Sequence, residues 1–248
     1  DAVREKPSPA RAPGPSFGWL TDCVILAALG VATRHMHPLA SPTDSERISV
    51  FAVGGYGRGE MAPQSDVDLL FLTPYKITPW AESVIESMLY ILWDLKLKVG
   101  HASRTIRDCL RLGGEDYTIR TALLENRYLA GDRQLADHFR KRLWHELFDG
   151  TERDFTEAKL EERDERHRKQ GGQRYMVEPN VKEGKGGLRD LQSLFWIAKY
   201  LHRVDSVAEL ADVGMFTADD LETFVKAEHF LWRAACHLHR ITPPPPEH

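Results

Sequence analysis

The chain has 248 residues, 42% hydrophobic and 28% charged, a size and composition that bury a core as one large domain or two small ones. Its formal net charge of -4 argues against a general attraction to nucleic acid, although a sum leaves local basic patches open. Cys23, Cys109 and Cys236 are too dispersed for a disulfide framework or a zinc site, no apolar stretch is long enough to span a bilayer, and no signal-peptide pattern opens the chain, so a soluble protein of the reducing cytoplasm with no membrane contact is expected.

Pro7, Pro9, Pro13 and Pro15, set among charges and small residues, predict a disordered lead over 1–15. A helix is expected over Phe17–Thr33, then a loop with Pro38 and Pro42. Ile48–Val53 reads as a buried strand, broken by Gly54-Gly55-Tyr56-Gly57-Arg58-Gly59, and Val67–Leu72 as a second strand. Thr78 and Pro79 suit the N-cap and first residue of a helix that sets Trp80, Val84, Ile85, Met88, Leu89 and Trp93 on one face. Leu95–Val99 alternates with period two, as a half-buried strand does, and the best strand candidate continues from there to Arg104. Beyond Asp116 helices dominate: an exposed, charge-dense helix over Thr151–Lys169, a loop over Glu178–Gly187, and helices over Leu188–His202 and Ala218–His239. Thr217, with Asp220 three residues on, caps the last, and Pro243–Pro246 halt the chain's regular structure. The expected class is α+β: a short mixed sheet with helices over 16–130, an all-helical domain over 131–242 and a disordered tail over 243–248.

Asp66 and Asp68, two apart where an apolar strand opens, leave the same face of that strand. Carboxylates so placed repel unless a cation sits between them, and magnesium takes such oxygens together with substrate phosphates. The turn at Gly54-Gly55 lets backbone amides approach a phosphate, Arg58 offers a bidentate contact, and the Ser65 hydroxyl offers another hydrogen bond. The competing reading is a flexible turn beside solvated acids. It is disfavoured because an unliganded acid pair directly before buried Leu69–Leu72 is costly. The spacing fits neither a Walker loop nor a Rossmann fingerprint. In the second half, Asn180, Lys182, Lys185 and Arg189 gather around Gly184, Gly186 and Gly187 just ahead of a helix start. Free amides and the helix dipole suit an anion there, with a solvated lysine loop as the alternative. Arg166, His167 and Arg168 are further candidates for phosphate contact, whereas Trp196 and Trp232 read as core residues.

A Gly-Gly turn followed by Asp-x-Asp on the next strand resembles the DNA-polymerase-beta-type nucleotidyltransferase superfamily. The fuller string GGYGRGEMAPQSDVDLLFL, with LWDLKLKVGHASRT at Leu92–Thr105 and EPNVKEGKGGLRDLQSL at Glu178–Leu194, is similar to the bacterial PII uridylyltransferases over roughly Phe17–Thr242. The resemblance implies a polymerase-beta-type core with Asp66 and Asp68 as catalytic and metal-binding residues and Mg2+ (or Mn2+) as cofactor. It implies nucleotide binding by Gly54, Gly55, Tyr56, Arg58, Ser65, Asn180, Lys182, Lys185 and Arg189. The implied reaction is transfer of UMP from UTP to a tyrosine of the PII nitrogen-regulatory protein, with release of pyrophosphate. No residue spells the base, so a related transferase using ATP or another acceptor stays open. So does a nucleotide-binding regulatory module without turnover. The third carboxylate usual in the superfamily has no counterpart on the strand ending at Arg104, where Gly100 and His101 stand and Asp94 and Asp108 only flank. No His-Asp dipeptide occurs, so the nucleotide-removing activity that accompanies the transferase in the resembled enzymes is not expected, and the chain reads as a fragment.

Overall fold

Ser49–Ala52 (β1), Val67–Thr73 (β2), Val99–Thr105 (β3) and Arg127–Gly131 (β4) form a four-stranded sheet in the order β3-β2-β1-β4. β1 runs antiparallel to β2 and to β4, and β2 runs parallel to β3, joined to it by helix α3 (Pro79–Asp94). The computed structural model describes residues 15–41, 43–61, 65–169 and 180–241. The expected lead over 1–14, Pro42, the opening of the Glu178–Gly187 loop and the proline tail lie outside the described residues.

All four residues of β1 are buried, as a strand covered on both faces requires. Alternation along β2 then sorts the core in two. Val67, Leu69 and Phe71 face α3 and α1 (Pro15–Val31), meeting Ile25, Ala28 and Leu29 and the buried stripe Val84, Ile85, Met88, Leu89 and Leu92. Leu70 and Leu72 face the other way, with Phe51. There they meet α4 (Ile106–Glu115), α5 (Tyr117–Leu124), α6 (Arg133–Leu143), α7 (Glu152–Lys169) and α8 (Leu188–His202). Each fully buried Leu, Ile or Phe contributes about 1.5–3 kcal/mol relative to exposure, so this second layer is a major part of the fold. It spans residues on both sides of position 130, reaching Phe155, Trp196 and Tyr200. A smaller third cluster of Ala198, Val204 and Leu210 lies where α9 (Glu209–Asp212) and α10 (Ala218–Ile241) follow.

Several elements form for the local reasons their residues suggest. The Thr78 hydroxyl accepts from the Ala81 amide at 3.2 Å with Pro79 as the first residue of α3. Thr217 and Asp220 close reciprocal bonds ahead of α10, each at 3.1 Å between one backbone amide and the other side chain. Helix α1 stops at Val31, two residues short of the expected end, and widens into a π-helical turn over Ala32–Met36. Trp93, placed by spacing on the buried face of α3, is 44% exposed. Along α7 the charges do face water, yet Phe155 and Lys159 are buried, and Phe155 stacks on Tyr200 at 4.0 Å between ring centroids.

The strand expected over Leu95–Val99 is corrected by the structure. The Leu97 amide reaches back to the Leu92 carbonyl (3.1 Å) and the Lys96 amide to that of Trp93 (2.8 Å), with Lys96 left-handed at φ 61°. This is a Schellman helix stop, its apolar contact formed by Leu97 against the same cluster as Leu92. The alternation of Leu and Lys there belongs to a helix end, and β3 begins only at Val99. Beyond Asp116, where helices were expected to dominate, they do, with the one strand β4 set between α5 and α6 among the described residues. No helix among the described residues is long and apolar enough to cross a membrane.

Candidate functional site

Asp66 sits exposed just ahead of β2, next to partly buried Ser65, and Asp68 is the second residue of the strand. The Asp68 carbonyl accepts from the Val53 amide at 3.1 Å, which fixes the strand to the residue before the glycine turn. That turn is not an open break but one short helical turn, α2 (Gly54–Gly57). Gly54 has φ +57°, a conformation glycine takes without steric cost. A Cβ there would lie 3.4 Å from Asp68 Oδ2. In the parallel register Asp68 pairs with Gly100 of β3, where a Cβ would overlap Asp68 Oδ1. The carboxylate is therefore framed by two backbones without side chains.

Burial, and then the charge of Asp66, push the Asp68 carboxyl above the ordinary carboxylate range. Both effects disfavour the ionised pair, and a divalent cation would reverse both. The site fits such an ion: two hard carboxylate oxygen donors, in a cradle that a Cβ would fill. Among the described residues no group of three or more His, Cys, Asp or Glu gathers as a ligand set. His101 is exposed and aligns with Leu69, Asp94 is exposed at the end of α3, and Asp108 closes a capping box with Thr105 at the start of α4.

Two residues expected to meet a nucleotide are engaged elsewhere. Tyr56 is 1% exposed, its hydroxyl donates to Asp22 of α1 at 2.6 Å, and Arg127 lies over its ring while also pairing with Asp22 at 2.7 Å. Burial first, and Asp22 second, hold its phenol far above the usual range. The Tyr56 side chain is thus a core anchor, not a nucleotide contact. Arg58 donates from Nε to Glu60 (2.8 Å) and from Nη1 to both oxygens of Glu125 (2.7 Å), with the Trp196 ring 5.8 Å away. Its guanidinium is committed inside the protein, because buried Glu125 requires a cation. Glu125 was not among the residues singled out from sequence. It lies 67 positions from Arg58, and no local pattern marks it.

The second-half cluster is assembled from one loop and the first turn of α8. Asn180 Oδ1 accepts from the amides of Lys182 (3.0 Å) and Glu183 (2.9 Å), shaping the loop in the manner of an Asx turn. Lys182 and Lys185 are exposed. Arg189 donates to Gln192 (3.1 Å) and Glu183 (3.3 Å) and lies 5.5 Å from the Trp196 ring. Arg166 and His167, considered as phosphate contacts, instead hold Asp190, at 2.5 and 3.0 Å, and the Gly186 amide donates to it at 2.8 Å.

Asp190 supports a prediction. Burial pushes its carboxyl up, but the Gly186 amide, Arg166 and His167 outweigh burial and leave it below the ordinary value. A carboxylate depressed in the folded state contributes stability fully present above its unfolded value of about 3.9 and lost as pH falls through the lower folded value. Chemical denaturation at stepped pH should show wild type exceeding Asp190→Asn by a steady margin down to about pH 5, with the margin shrinking below about pH 4. A margin flat down to about pH 2 would remove this role.

A nucleotidyltransferase domain family model matches residues 41–169, and a GlnD PII-uridylyltransferase family model matches residues 154–244. A bifunctional uridylyltransferase/uridylyl-removing enzyme of Cereibacter sphaeroides is 67% identical over 223 residues, 90% of this chain and 24% of that protein. Proteins of the same name from Ruegeria pomeroyi and Rhodospirillum rubrum are 65% and 53% identical, over 98% and 92% of this chain and 26% and 24% of theirs. The chain spans about a quarter of the length of these relatives. The first model covers just over half of the chain and takes in the glycine turn, both acids and all four strands. This chain therefore belongs to the nucleotidyltransferase domain family.

Proposed function

We propose that the chain is the transferase portion of a PII uridylyltransferase, moving UMP from UTP to a tyrosine hydroxyl of the PII protein and releasing pyrophosphate. The observation that carries this reading is the Asp68 carboxylate framed by Gly54 and Gly100, with Asp66 beside it. The names of the relatives and of the second family model support the choice of nucleotide and acceptor. A cytoplasmic setting without nucleic acid goes with it.

In this reading Asp66 and Asp68 hold Mg2+ (or Mn2+), which when bound supplies Lewis-acid stabilisation of charge at the α-phosphate. The first amides of the Gly54–Gly57 turn, which have no intrahelical acceptor, bind the triphosphate. Exposed Lys182 and Lys185 add positive charge, while Asn180 and Arg189 keep their loop in shape. The acceptor phenol, with a reference pKa of about 10, gives up its proton to solvent as its oxygen bonds to the α-phosphorus, and the bond to the β-phosphate breaks to release pyrophosphate.

Incubating the chain with α-labelled UTP, Mg2+ and PII should label PII and release pyrophosphate in equal amount. Equal labelling from ATP would move the assignment to a related transferase. A second reading, nucleotide binding without turnover, has the presence of Gly100 beside Asp68 in its favour, where a third carboxylate is usual in the superfamily. UTP binding with no pyrophosphate released would select it.

A further inference from the structure

Glu125 and helix α8 form a hub behind the glycine turn. Glu125 caps the C-terminal end of α5 and is 5% exposed. Its carbonyl backs directly onto Gly57, where a Cβ would overlap it. Its carboxylate takes Arg58 on both oxygens and the Trp196 indole N–H on one. Glu60, the second acid on Arg58, accepts from Gln192 of α8 at 3.1 Å. Trp196 is in turn flanked by Arg189 and Lys159, whose charged groups lie 5.5 and 5.1 Å from its ring centre. Two carboxylates thus share one guanidinium, and polar hydrogens and cations carried by α7 and α8 offset the surplus charge.

We propose that Glu125 is a positioning residue for the glycine turn, and that Trp196 and Gln192 let α8 set where that turn lies. The inference rests on the nucleotide-binding reading of the turn. None of the bonds just named is made to Asp66 or Asp68. The hub reaches the site through the turn, against which Arg58 packs at ordinary contact distance, its Nη2 3.6 Å from where a Cβ on Gly55 would stand. Loosening the hub therefore displaces the phosphate-binding amides, while Asp68 is still held by its own strand in register with Gly100 of β3. Nucleotide affinity falls, while the chemical step on bound nucleotide persists.

The test uses the full chain, with direct titration of Mg–UTP and steady-state UMP transfer to PII. Glu125→Gln keeps the shape and an acceptor for Trp196 but removes the charge that holds Arg58. It should weaken Kd and KM for UTP by about tenfold or more and change kcat by less than about threefold. Glu125→Asp, which restores the charge on a shorter arm, should recover part of the affinity. Trp196→Phe, which keeps a ring but loses the N–H, should shift Kd in the same direction by less, and carries the test should Glu125→Gln not fold. Phe155→Leu, in the same helical layer and touching the hub only through Lys159, 5.7 Å from its ring centre, should lower the thermal midpoint and leave Kd in place.

Wild-type affinity in Glu125→Gln, or equal weakening in Phe155→Leu for an equal fall in thermal midpoint, overturns the proposal and makes Glu125 a stability residue only. A wild type that binds UTP but transfers nothing refutes the transferase reading alone, because the Kd comparison still decides the hub. Absence of nucleoside triphosphate binding by the wild type refutes both.

Discussion

Asp68→Asn is expected to lower kcat for UMP transfer by about 1000-fold or more while leaving the protein folded and no less stable. On the proposed reading the loss follows from removing one of two carboxylates that would hold the metal, an interaction worth several kcal/mol at the transition state. The intact fold follows from the surroundings. Asn has the shape of Asp, and the bond that fixes this residue to Val53 uses the Asp68 backbone carbonyl. The native carboxyl is pushed up by burial and by Asp66, so its ionisation costs stability as pH rises through the folded value. Removing that charge relieves the cost at neutral pH. A thermal melt without metal should therefore place the variant level with or above wild type, beside a transfer assay that reads almost nothing. Retention of a tenth of wild-type kcat would contradict the metal role of Asp68.

Gly100→Ala should separate activity from stability in the same way, by crowding instead of charge. The new Cβ would overlap Asp68 Oδ1 and lie 3.6 Å from Cγ, so the carboxylate must turn away from the position it now holds. Because a short side chain yields and no backbone does, the fold changes little. Replacing a strand glycine also recovers about 0.5–1 kcal/mol of conformational entropy. Misplacing a reacting group by about 1 Å costs on the order of 100-fold in rate, and that is the expected fall in kcat. Gly114→Ala, with nothing within 4 Å of the added Cβ, serves as the control that leaves both quantities unchanged. Full activity in Gly100→Ala would mean that the framing of Asp68 has no bearing on turnover.

Much of the fold was legible wherever a local rule decides the outcome. Thr78-Pro79 starts α3, Val67–Leu72 lies within β2, and α8 occupies Leu188–His202 as its apolar spacing indicates. Leu95–Val99 misled because a helix stop with Leu97 folded back on the core shows the same alternation as a strand. Strand β4 left little trace, since Arg127, Tyr128 and Leu129 are only partly buried and its register slips against β1 between Val50 and Phe51. At the candidate site, the acids and glycines stand close together in sequence, so their meeting could be anticipated. The partners of Tyr56 and Arg58 could not be. Asp22, Arg127 and Glu125 come from distant helices and strands, and only the folded chain shows that these two side chains are already occupied.

The order of the sheet also bears on how the chain folds. β1 meets β2 across residues 53–66 but meets β4 across residues 53–126. Loop-closure entropy grows with the logarithm of length, so the second pairing costs about 1.5 kcal/mol more to nucleate than the first. β4 pairs with β1 alone, and a pairing so distant in sequence slows folding. Arg127, which anchors Tyr56 and Asp22, sits on that more distant partner strand. The rigid backing of the glycine turn thus depends on the more costly of the two pairings, and the setting of Asp68 beside β1 on the less costly one.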